Sequence, residues 1–167
     1  MFLRNCKGAV HLIFRSRNRN ALSQAGFGVA SRVLLSLWAG SLWTVGYLAA
    51  PTLFAVLDDR RLAGEIAGRL FYAETWLSLI CAALILLPEF IGDLRRAIFK
   101  LDNILVILCV VLLAGAEWGV RPLMDASRFA DGGAGPDFAM WHGVAAGMYL
   151  SASIVALILL WRSASGR

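Results

Sequence analysis

Val33–Leu57, VLLSLWAGSLWTVGYLAAPTLFAVL, runs twenty-five residues without one acidic or basic side chain. At about 1.5 Å of rise per residue, roughly twenty apolar residues cross a ~30 Å hydrocarbon layer. A core helix of a water-soluble domain is seldom that long and apolar all round. The stretch therefore predicts a membrane span, and the rest of the chain divides around it. Three further apolar segments follow, so the expected fold is an all-α integral membrane protein, a four-transmembrane-helix bundle.

The spans are expected at about 33–57, 62–87, 103–120 and 138–161, within one membrane domain over 33–161. Pro51 lies near the end of the first span, where proline kinks a helix or ends its regular part. Asp58-Asp59-Arg60-Arg61 makes a short turn. Thr75–Leu87 is too short to cross alone, so the second helix must include Arg69 and Glu74; Pro88 is expected to stop it, with a loop over Glu89–Lys100. The third span carries Glu117 in its last turn, and Arg121-Pro122 is expected to end it. DASRFADGGAGPD, residues 125–137, reads as a loop. The fourth span, Phe138–Trp161, holds His142 as its only charged-type residue.

Charge sets the orientation. The chain is 59% hydrophobic with a net charge of +5. Residues 1–32 contain Arg4, Lys7, Arg15, Arg17, Arg19 and Arg32 and no acid, so the positive excess is one basic juxtamembrane head. That placement suits anionic headgroups and topology, not a groove for nucleic acid. The head, the loop after the second span and the tail over 162–167 hold most of the lysines and arginines. By the positive-inside rule both termini are cytoplasmic. The head has no signal-peptide cleavage pattern; it reads as a poorly ordered bacterial head or an upstream-start extension. Its Arg- and Ser-rich, acid-free composition is also that of a mitochondrial transit peptide. The expected location is the inner membrane, with a mitochondrial membrane as the alternative. Trp38, Trp43, Trp76, Trp118, Trp141 and Trp161 lie mostly near span ends, where interfacial anchors sit. The glycine pairs Gly64/Gly68, Gly115/Gly119 and Gly143/Gly147 predict close helix packing.

Three groups inside the spans could carry chemistry: Glu74, Glu117 and His142. A charge in mid-bilayer costs about 2.5–3.5 kcal/mol on insertion scales, so such groups pair, neutralise or face the bundle interior. Glu65 with Arg69 and Glu117 with Arg121 have the i,i+4 spacing of helix ion pairs. Glu74 shares a face with Ser78 and Cys81, and His142 with Ala146, Tyr149 and Ser153. Glu74 has no base on its own face, and His142 is its expected partner. Alternatively, His142 serves as a metal or haem ligand or a proton relay, and Met140 and Met148 would add thioethers suited to copper. Cys6, Cys81 and Cys109 are scattered, so neither a disulfide nor a cysteine metal site is expected. No soluble catalytic signature is present.

LWAGSLWTVGYLAAPTLFAVLDDRRLAGEIAGRLF, WGVRPLM and FAMWHGVAAGMYL together resemble the four-helix membrane domain called transmembrane protein 205-like. That resemblance covers residues 33–161 and implies a small inner-membrane protein; it implies no activity. The domain is also distantly similar to four-helix copper-resistance and haem-binding membrane families, which implies haem or copper at His142. Two functions are thus expected in competition. One is a non-enzymatic structural or accessory subunit, held in the lipid bilayer within a larger membrane complex or a homo-oligomer. The other is a haem- or copper-binding, or proton- or ion-conducting, protein using His142 with Glu74 and Glu117.

Overall fold

The computed structural model describes residues 28–92, 98–130 and 135–165. The basic head up to residue 27, Arg95 and Arg96 of the expected loop, and the last two residues lie outside them. Four long helices make up the described chain: α1, Gly28–Val56; α2, Arg60–Gly92; α3, built from Leu101–Ala114, Gly115–Val120 and Arg121–Ala130; and α4, Pro136–Ala164. No strand occurs among the described residues. All four are long and apolar enough to cross a membrane.

The helices outrun their expected bounds. α1 is helical from the first described residue, Gly28, so Arg32 is helical rather than part of a loose head. Pro88 does not stop α2; it lies inside a helix that continues to Gly92. In an apolar surround the backbone gains nothing by leaving the helix, and a proline removes only one ladder bond. Arg121-Pro122 does not end α3 either; Arg121–Ala130 is helical and runs into the loop expected over 125–137.

Widened turns explain how the chain tolerates two of its prolines. Thr44–Ala49 and Gly115–Val120 are π-helical. The Ala50 N–H reaches the Val45 carbonyl and the Arg121 N–H the Ala116 carbonyl, five residues back in each case. Pro51 and Pro122 follow at once. A wide turn just before a proline makes room for the ring and rearranges the ladder where a donor is missing. The same device thus occurs once in α1 and once in α3.

α3 packs between α2 and α4, and α1 lies against α2. α1 also reaches α4, where the Tyr149 hydroxyl donates to the Leu42 carbonyl at 2.7 Å. The four helices therefore close a ring. Its core lies in the half nearer both ends of the chain: Leu35, Trp38 and Leu42 meet Cys81 and Ile85, Val106, Cys109 and Leu113, and Val155 and Leu159. The other half is thinner and packs through alanines such as Ala50, Ala63 and Ala67. Every buried α4 residue lies at or beyond Ala152.

Glycines serve this packing at particular points rather than as pairs. At Gly46 an added Cβ would run into the Tyr149 ring, with Cζ at 3.0 Å and Cδ1 at 3.1 Å. At Gly68 it would lie 2.5 Å from the Arg121 guanidinium. Gly119, Gly143 and Gly147 have open space around them, so the expectation of tight packing at all three pairs is not met.

Candidate functional site: the polar layer around Glu74

Glu74 is the most deeply enclosed acid among the described residues, with 3% of its surface exposed. Its carboxyl meets a hydroxyl. Ser41 of α1 lies 3.0 Å from Oε1, and the buried Ser78 lies one turn further along the same face of α2. Ser78 in turn accepts from the Trp38 indole N–H at 2.6 Å. Ser41 also reaches back to the Trp38 carbonyl at 2.8 Å. Trp38, Ser41, Ser78 and Glu74 thus form one buried network joining α1 to α2. Trp38 is 1% exposed and part of this core rather than an interfacial anchor. Trp43, Trp76, Trp118 and Trp161 are exposed.

His142 is not the partner of Glu74. Its side chain is exposed, and its ring stacks on Phe138 with centroids 5.9 Å apart and planes 14° apart. Depth along the helices explains the miss. α2 and α4 start at Arg60 and Pro136. By helical rise Glu74 then lies roughly 20 Å into its helix and His142 only about 9 Å into its own. The α4 residue at Glu74's depth is Tyr149, whose ring meets Phe71 of α2 edge-on at 5.0 Å.

Glu117 forms a separate unit. It pairs with Arg121, four residues on as the spacing predicts, and Arg121 Nη1 also donates to the Gly68 carbonyl of α2 at 2.9 Å. Glu65 and Arg69 pair at 2.8 Å on the exposed face of α2. The three expected site residues are therefore three places, not one cluster. Several links escaped the sequence reading, the first being Ser41 with Glu74; Arg162 of α4 with Asp102 of α3 at 2.5 Å is another. A mid-span serine facing a mid-span acid is the signal that could have found the first.

Among the described residues, no group of three or more His, Cys, Asp or Glu converges as a metal site. Met140 and His142 are exposed near the start of α4, whereas Met148 lies against Gly115 of α3. From Met140 to Met148 is about 12 Å along the helix axis, so one chain does not bring Met140, His142 and Met148 onto a common ion.

Neither curated proteins nor solved structures include a match to this chain. A family defined as a domain of unknown function does match, over residues 33–133. The matched residues hold most of α1, all of α2 and the whole of α3, and so include Glu74 and Glu117; they stop short of α4 and His142. The chain belongs to that family, Domain of unknown function (DUF4149).

Proposed function

We propose that this chain is a multi-pass inner-membrane protein, with both termini cytoplasmic, that acts as a non-enzymatic structural or accessory subunit of a larger membrane complex. The observation that carries this reading is where the interior polar groups are spent. Trp38 to Ser78, Tyr149 to the Leu42 carbonyl, Arg121 to the Gly68 carbonyl and Arg162 to Asp102 all tie one helix to another. In hydrocarbon such bonds fasten helices where apolar association supplies little drive. The outer faces are apolar and extensive, which suits lipid and a membrane partner. The charge distribution supports the orientation, and the resemblance to the transmembrane protein 205-like domain supports the inner membrane.

Extraction of the full chain in native lipid with a styrene–maleic acid polymer, followed by native mass spectrometry, tests this. A fixed-stoichiometry assembly containing a second protein is expected. A lone chain with no companion would sink the accessory role. The absorption spectrum and metal content of the same preparation test haem or copper at His142: a Soret band, or stoichiometric copper, that is lost in His142→Ala would replace the accessory reading.

A further inference from the structure

Hydrogen atoms can be counted around Glu74. Ser41 has one hydroxyl hydrogen but lies within bonding distance of two oxygens, the Trp38 carbonyl at 2.8 Å and Glu74 Oε1 at 3.0 Å. A carbonyl can only accept, so one Ser41 hydrogen cannot serve both contacts in full. The Ser41–Glu74 contact is then open to a hydrogen from the acid. A neutral Glu74 carries that hydrogen. Ser78 accepts from Trp38 and lies one turn from Glu74 on the same face of α2.

The charges around the site agree. Cys81 on α2, Cys109 on α3 and Tyr149 on α4 are ionisable groups near enough to feel a charge on Glu74, and none of them is a cation. α1 offers Glu74 the Ser41 hydroxyl. Arg121 on α3 is engaged by Glu117 and the Gly68 carbonyl, and Arg69 is exposed and paired with Glu65. A carboxylate enclosed without a counter-ion is costly. We propose that Glu74 is a proton-binding site within the bundle, a neutral carboxylic acid that donates to Ser41. The ligand class is a single hydrogen ion. This goes beyond the accessory role and does not depend on it.

Infrared spectroscopy of the full-length protein in lipid vesicles at pH 7 tests the proposal, in choline chloride and in sodium chloride. A carboxylic-acid carbonyl band is expected in both salts. It should shift on transfer to D2O, vanish in Glu74→Gln and move in Ser41→Ala. If Glu74→Gln fails to fold, displacement of the band by Ser41→Ala in protein carrying 13C-labelled glutamate keeps the assignment. Three results would overturn the site: carboxylate bands alone at pH 7; an acid band that sodium replaces with carboxylate, meaning a sodium site; or a band indifferent to both substitutions.

Discussion

Arg121 donates to the backbone carbonyl of Gly68, 2.9 Å away on the neighbouring helix, and its guanidinium packs where any Gly68 side chain would stand. The same guanidinium neutralises Glu117, whose side chain is 8% exposed against 28% for Arg121. Arg121 is thus a clamp with one end on its own helix and one on α2.

Removing that cation should cost more than removing the acid. Arg121→Gln leaves a nearly buried carboxylate unpaired and frees the Gly68 carbonyl; Glu117→Gln leaves an arginine that still holds α2 and reaches water. About 2–3 kcal/mol is expected for the first, after allowing for Arg121's partial exposure, and about 1 kcal/mol for the second. The double variant should lose less than the sum. Thermal unfolding in lipid nanodiscs reads all three, and equal losses for the two single variants would show that Arg121 does not bridge the helices.

Gly46 and Gly119 should part company when changed to alanine. Alanine is the better helix former by about 1 kcal/mol where nothing is in the way. Nothing lies near a Gly119 Cβ, so Gly119→Ala should leave the melting temperature unchanged or raise it slightly. A Gly46 Cβ meets the Tyr149 ring, which is itself held by the bond to the Leu42 carbonyl. Gly46→Ala should therefore lower the melting temperature, and similar behaviour of the two variants would mean that α1 and α4 are not in close contact at Tyr149.

Ser78→Ala should strand the Trp38 indole N–H in a site where tryptophan is 1% exposed. The expected loss is about 1–3 kcal/mol. Trp38→Phe in the Ser78→Ala background removes the stranded donor, so part of the loss attributable to it should disappear from the double-variant cycle. Strict additivity would mean that the indole finds another acceptor.

The helices were legible because hydrocarbon leaves the backbone few alternatives: the apolar runs alone placed all four. Their ends were not. Pro88 and Pro122 read as stops, but a proline breaks one bond while the surround favours helix on both sides, and the wide turn before Pro122 accommodates the rest. Glu74 was legible as a buried acid needing help, since its own helix offers no base on the right face. Its partner was not, because polar stripes give direction around a helix but the matching of depths depends on where each helix starts. Trp38 looked like an anchor by its position; only the packing of α1 on α2 shows that its N–H has a buried acceptor.

Asp102 and Arg162 close the end of the bundle nearer the chain's termini. Asp102 lies in the first turn of α3 and Arg162 in the last turn of α4, so each also has the sign that its helix end favours. The Nε–Oδ1 distance is 2.5 Å, with side chains 27% and 29% exposed. A pair that sees this much solvent is worth less than a buried one, and about 0.5–1 kcal/mol of coupling is expected from the cycle of Asp102→Asn, Arg162→Gln and the double variant. Salt should weaken the coupling, since ions reach the pair. Coupling of several kcal/mol that ignores salt would mean the pair is closed off from water, and coupling near zero would mean that α3 and α4 are held together by core contacts such as Cys109 against Ala152.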